Sequence, residues 1–93
     1  MFLFVKVQNI DENRIIQLKT FIPLEVGKQV KYFREQNKLT QTELANLIGK
    51  DRQYLYKIEK GKVTPSIFTV GLIAFALEIS LAEILKSVNL SDE

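Results

Sequence analysis

The chain has 93 residues, a formal net charge of +2, and neither cysteine nor histidine. This length suits one domain with a single modest core. The missing residue types exclude disulfides and thiol catalysis, and they remove the commonest general base and transition-metal ligand. The chain also lacks a glycine-rich phosphate loop and an evident nucleophile–base pair. We therefore expect no metal, no cofactor and no enzymatic activity.

The charges are unevenly distributed along the chain. Nine basic and only four acidic residues lie between Lys28 and Lys62. Such a stretch weakly indicates a polyanionic partner, although lysines on a solvated surface would give the same pattern. No apolar run approaches the ~20 residues that a membrane-spanning helix needs, and the N-terminus lacks the leading positive charge of a signal peptide. We expect a cytoplasmic protein with no membrane partner.

The N-terminal quarter of the chain alternates between apolar and polar positions. Residues 2–8 and 14–22 predict two β-strands, and residues 9–13 between them suit a turn. Both faces of this β-hairpin would be apolar, whereas a helical core can cover only one of them. We therefore expect residues 1–22 to pair with the same hairpin of a second chain. A hairpin that merely caps the helices is the alternative.

From Pro23 onward the apolar positions recur with a helical period. The first predicted helix starts there and ends near Asn37. Thr40 and Glu43 have the spacing of a capping box, which predicts the start of a second helix. Gly49 is typical of the left-handed residue that ends such a helix.

Three further helices complete this pattern. Asp51 is a good N-cap for a third helix of roughly Arg52 to Lys60, which Gly61 ends. The fourth helix opens at Pro65 and Ser66, and Gly71 within it predicts a close contact with a neighbouring helix. A second capping box, from Ser80 to Glu83, opens the fifth.

The order and spacing of several short motifs resemble the phage repressor and Cro-like (XRE-type) helix-turn-helix family over about residues 24–90. The motifs are Gly27–Glu35, Leu39–Ala45, Tyr54–Gly61 and Thr64–Ser66. The resemblance implies a mostly α, five-helix lambda-repressor-like domain with the third helix in the major groove of DNA. Residues 1–23 lie outside the resemblance. Together with the pattern of the N-terminal quarter, the resemblance divides the chain into an N-terminal β-hairpin (residues 1–22), a DNA-binding domain (residues 23–90) and a polar tail (residues 91–93).

The resemblance also implies which side chains read bases. Arg52, Gln53 and Lys57 match the base-reading positions, and we add Tyr56, where the family often has serine or another small polar residue. The chemistry agrees, because an arginine fork suits guanine and a glutamine suits adenine. Arg52 and Gln53 would lie at the helix N-terminus, which usually approaches the bases. Taken alone, Arg52 and Lys57 could be ordinary solvated charges, but their place in the motif favours base reading.

Other positions match residues with supporting roles. Gln41 matches a glutamine that usually contacts a phosphate and braces the recognition helix. Lys38, Lys60 and Lys62 are expected to contact phosphates without reading sequence. Arg34 and Glu59 match an ion pair that ties the first helix to the third; these two complete the set of expected site residues.

The expected function is sequence-specific binding of double-stranded DNA by a transcriptional regulator, a repressor that acts as a homodimer on a palindromic operator. The alternative is a DNA-binding antitoxin with a toxin partner, for which the N-terminal hairpin would offer a docking site. An interaction module that no longer binds DNA is disfavoured, because the exposed face of the third helix is basic and polar.

Overall fold

The structure, a computed structural model, describes residues 9–90, which form five α-helices and no β-strand. These are α1 (Glu12–Gln36), α2 (Gln41–Leu47), α3 (Arg52–Glu59), α4 (Ile67–Ala76) and α5 (Leu81–Leu85). The five helices expected from the sequence are present in the expected order. The mostly α fold is therefore confirmed, but the β-hairpin is not.

The N-terminal hairpin predicted from the sequence is wrong. Residues 14–22 belong to α1, which begins eleven residues before Pro23, and residues 2–8 lie outside the described part of the chain. The expected turn contains Asp11, the N-cap of α1, whose carboxylate accepts a hydrogen bond from the Asn13 amide. A dimer built from paired hairpins is therefore withdrawn.

The apolar run before Pro23 fits a helix as well as a strand. Leu18, Phe21 and Ile22 are half-buried at helical spacing, whereas Ile15 and Ile16 are exposed. Short apolar runs of this kind satisfy both periods, and only packing against the rest of the chain decides between them.

Pro23 lies inside α1 rather than at its start. Its ring is buried, so it adds to the packed face of the helix. Its missing N–H removes one backbone hydrogen bond, the one that the Lys19 carbonyl would otherwise accept. Packing on both sides of the proline keeps the helix continuous across this gap.

One hydrophobic core joins all five helices. Fully buried side chains come from each of them, including Val30, Leu44, Leu55, Ile73 and Ile84. α1 packs against α3 and α5, and α2 packs against both α3 and α4. In α5 Ile84 is buried, whereas Leu81 and Leu85 are half-buried.

Three of the predicted helix starts have the expected caps. Thr40 and Glu43 form both hydrogen bonds of a capping box. Asp51 accepts from the Tyr54 amide, and Ser80 accepts from the Glu83 amide. The Glu83 side chain extends toward Lys86 instead, with 3.7 Å between Oε2 and Nζ. The second box is thus only half-formed.

Gly27 and Gly71 both lie inside helices, but they have different surroundings, which the sequence spacing did not reveal. Gly71 was expected to allow a close helix contact, but an added Cβ there would meet nothing within 4 Å. The close contact lies at Gly27 instead, where an added Cβ would overlap the Ile58 carbonyl oxygen and lie 2.9 Å from that of Glu59. Gly27 therefore lets α1 cross directly over the C-terminal end of α3.

Candidate nucleic-acid interface

α2, a short turn and α3 form a helix-turn-helix unit. Gly49 has a φ of 71°, which reverses the chain after α2, and Asp51 then caps α3. α3 presents Leu55, Ile58 and Glu59 to the interior. Its opposite side carries exposed side chains of the type that binds nucleic acid, namely Arg52, Gln53, Tyr56 and Lys57.

A buried carboxylate anchors α3 from behind. Arg34 of α1 donates to Glu59 twice, through Nε at 2.6 Å from Oε2 and through Nη2 at 3.0 Å from Oε1. The guanidinium also donates through Nη1 to the Leu39 carbonyl, at 2.8 Å. Hydrogen bonding and charge attraction from Glu59 outweigh burial and raise the pKa of Arg34. This two-point contact is the pair that the family resemblance implied.

Gln41 joins the same network from α2. Its Nε2 donates to Glu59 Oε1 at a distance of 3.0 Å, so the carboxylate of α3 binds side chains from both α1 and α2. The bidentate, charge-assisted hydrogen bonds from Arg34 fix the orientation of the Glu59 carboxylate. The position of α3 is thereby set by both α1 and α2.

Tyr56 lies among the lysines that follow α3. Its ring centroid is 5.9 Å from Lys60 Nζ and 5.7 Å from Lys62 Nζ. Ammonium groups within about 6 Å of a ring face are attracted to its π-electrons. Tyr56 therefore gathers two cations beside the exposed side of α3. The Lys60 contact follows from the i, i+4 spacing of a helix. The Lys62 contact depends on the turn at Gly61, whose φ is 70°.

A cationic cleft of about 230 Å³ adjoins Gln41, between α1 and the end of α3. Lys28, Lys31 and Lys60 contribute its positive charges. We did not select Lys28 and Lys31 from the sequence, although their i, i+3 spacing places them on one side of α1. Lys38 lies apart, in the turn before α2.

Within residues 9–90, no group of three or more acidic side chains could hold a metal ion. None of the helices described in this range is long and apolar enough to cross a membrane.

Residues 30–84, more than half of the chain, match the family model described as Helix-turn-helix. The chain belongs to this helix-turn-helix family. The match includes α2, α3 and α4 in full, together with the C-terminal part of α1 that carries Arg34. The family expected from the sequence motifs is thereby confirmed.

Several relatives of this helix-turn-helix protein are named as repressors or regulators. The immunity repressor protein of Bacillus phage phi105 is 36% identical over 70 residues, which cover 75% of this chain and 49% of the repressor. An uncharacterized HTH-type transcriptional regulator of Methanocaldococcus jannaschii is 38% identical over 56 residues, covering 60% of this chain and 85% of that protein. The chain thus spans about half the length of the phage repressor.

Solved structures of regulators share the helix-turn-helix fold. The restriction-modification controller protein C.AhdI from Aeromonas hydrophila has a TM-score of 0.65 and 31% identity, covering 67% of this chain and 90% of that one. The clp gene regulator ClgR from C. glutamicum has a TM-score of 0.70 and 25% identity, with coverages of 72% and 87%.

Proposed function

We propose that this protein is a sequence-specific, double-stranded DNA-binding repressor of transcription that acts as a homodimer on a palindromic operator in the cytoplasm. The observation that carries the proposal is the two-sided construction of α3. Its inner side is fixed by Glu59 and by buried leucine and isoleucine, while its outer side presents polar and cationic side chains. The names of the relatives support the same function. It works by binding and not by catalysis.

Arg52, Gln53 and Lys57 are proposed to read base edges in the major groove. Arg52 can donate twice to guanine O6 and N7, and Gln53 can both donate to and accept from adenine. These two residues begin α3, the end of a recognition helix that usually approaches the bases. We assign Tyr56 to the same surface, where its ring would contact a thymine methyl or the sugar-phosphate backbone.

Gln41 and the lysines around α3 are proposed to hold the phosphate backbone. Gln41 lines the cationic cleft and also braces Glu59, so a phosphate bound beside it would lie next to the anchor of α3. Lys60 and Lys62 are held near the Tyr56 ring, and Lys38 completes the set. Contacts of this kind fix register and supply salt-dependent affinity without reading sequence.

The first prediction concerns the operator. One copy of a domain this small makes few contacts, so specific affinity needs two copies. Selection of bound duplexes from random DNA is expected to give a palindrome whose half-site centres lie about 34 Å apart, one helical turn. Footprinting on the selected duplex is the check. Full affinity for a single asymmetric half-site would contradict the dimer, and failure to enrich any sequence would contradict the function.

The second prediction separates base reading from phosphate contact. Arg52→Ala or Gln53→Ala is expected to weaken operator binding by about 1–3 kcal/mol and to relax the preference at one base pair. Lys62→Ala is the matched control, since it should weaken all duplexes alike and reduce the salt dependence. Titrations at several salt concentrations, with operator and mutated duplexes, measure both effects. Unchanged preference in Arg52→Ala would exclude this register for α3.

A further inference from the structure

α4 carries an apolar stripe on the side that faces away from the core. Phe68 and Phe75 are 71% and 83% exposed, values unusual for phenylalanine in a folded domain. Gly71 and the half-buried Leu72 lie between them. With 3.6 residues per turn, these four positions share an arc of roughly 100°. We call them the α4 stripe.

No contact within residues 9–90 explains the glycine at position 71. It lies within a helix, where glycine is less favourable than alanine. An added Cβ would meet nothing within 4 Å, so no contact of the described chain requires its absence. A glycine between two exposed phenylalanines is explained if another helix crosses there closely.

The α4 stripe is complementary to itself. Phe68 and Phe75 lie at equal distances on either side of the midpoint between Gly71 and Leu72. A second α4 that runs antiparallel about a two-fold axis at this midpoint brings Phe68 of one copy onto Phe75 of the other. The same operation places Leu72 of each copy opposite Gly71 of the other. Phenylalanine rings therefore meet at both ends of the contact, and at its centre Leu72 fits the space that Gly71 leaves.

We propose that the α4 stripe is the surface through which two copies of this chain dimerise. The inference deepens the proposed function, on which it rests, by naming the element that would join two DNA-binding units. An isologous interface needs one patch that fits its own copy. α4 contains no charged residue, so two copies can approach without like-charge repulsion along the helices.

The size of the stripe sets the strength of this dimer. A phenylalanine side chain buries roughly 150–250 Å² when it is fully enclosed. Because Phe68 and Phe75 are already partly buried, four such rings and the exposed part of Leu72 from each copy bring the total to roughly 500–900 Å², within the range of weak, transient interfaces. We therefore expect a reversible dimer rather than an obligate one.

The test measures the mass of the full chain by sedimentation equilibrium without DNA. The wild-type protein is expected to dimerise reversibly. Phe75→Glu should raise the dimer dissociation constant about 30-fold or more, the effect of losing an interface hot spot. Ile16→Glu is the matched control, because Ile16 is 62% exposed on α1 and lies outside the stripe. A monomeric wild-type protein, or dissociation caused by Ile16→Glu and not by Phe75→Glu, would overturn the proposal.

Gly71→Leu distinguishes the interface from a folding defect. A Cβ added at this position meets nothing within 4 Å, so at a concentration where both proteins are monomeric the melting curve measured by circular dichroism should be no lower than that of the wild type. It should nevertheless weaken the dimer at least tenfold, because it fills the gap that receives Leu72. Dimerisation unaffected by Gly71→Leu would contradict the antiparallel arrangement.

DNA binding is scored separately from dimerisation. Phe75→Glu should keep binding to a half-site while it loses the gain from a full palindrome. A wild-type dimer that binds no DNA would overturn the proposed function and leave the α4 interface intact. A wild-type protein that selects an operator while Phe75→Glu remains dimeric would overturn the α4 interface and leave the proposed function intact.

Discussion

Replacing Arg34 with alanine is expected to lower the free energy of unfolding by about 3–5 kcal/mol, the usual effect of breaking a buried ion pair from one side. The Glu59 side chain is only 2% exposed and would be left with a single side-chain hydrogen-bond donor, Gln41. The Leu39 carbonyl would also lose its guanidinium donor. Urea denaturation followed by circular dichroism measures the change.

Two further variants test whether the loss of stability in Arg34→Ala comes from the buried ion pair. Lys28→Ala removes an exposed pair, in which Lys28 Nζ lies 3.0 Å from Glu25 Oε2, and it should change stability by no more than about 1 kcal/mol. Combining Arg34→Met with Glu59→Leu should recover much of the loss, since no charge is then left buried alone. A denaturation midpoint unchanged in Arg34→Ala would mean that water solvates Glu59 in place of the guanidinium.

The same pair has a defined dependence on pH. Because hydrogen bonding to Glu59 raises the pKa of Arg34, the stabilisation from the guanidinium is complete below its ordinary pKa. It is lost only when the pH rises through the higher folded-state value, which is strongly alkaline. Arg34 therefore adds no pH dependence to stability near neutrality.

Gly27→Ala is expected to destabilise the fold by about 1–3 kcal/mol, the range for overpacking a dense contact. The atoms that the new methyl group would meet are the carbonyl groups of Ile58 and Glu59, which belong to backbone and cannot rotate away as a side chain would. α1 and the end of α3 must separate to admit it. The expected loss therefore includes strain on the anchor at Glu59.

Gly71→Ala is the matched control for this experiment. It makes the same chemical change inside a helix, but in open space, so it should stabilise the single chain by about 0.5–1 kcal/mol. Thermal and urea melts of both variants should therefore move in opposite directions from the wild type. They are measured at a concentration where the protein is monomeric. A Gly27→Ala protein as stable as Gly71→Ala would disprove the close crossing.

The sequence predicted the C-terminal three quarters of the fold well because its signals are local. Caps such as Thr40 and Asp51, and a left-handed glycine such as Gly49, fix helix ends within a few residues of themselves. Residues 14–22 were misassigned because their apolar pattern satisfies two periods and no local signal separates them. Gly27 and Gly71 could not be told apart from the sequence. Only Gly27 contacts α3, at Ile58 and Glu59, and these residues are distant from it along the chain.

Only those candidate site residues that lie within the family motifs could be predicted from the sequence. They identified the Arg34 and Glu59 pair and the brace from Gln41, which the structure joins into one network. Lys28 and Lys31 were not predicted as site residues, because the cleft that they line is formed by residues from separate helices. Base reading by Arg52, Gln53 and Lys57 stays a prediction, since no contact with DNA is described.

On the proposed function, the two sides of α3 separate the residues that would read DNA from those that keep the domain folded. Its ties to the rest of the domain run through Leu55, Ile58 and Glu59, whereas the side chains of Arg52 and Gln53 make no hydrogen bond within residues 9–90. Substitutions at such exposed positions usually change stability by no more than about 0.5 kcal/mol. If α3 reads DNA as proposed, point mutations at these positions can change the preferred operator without a compensating change in the interior.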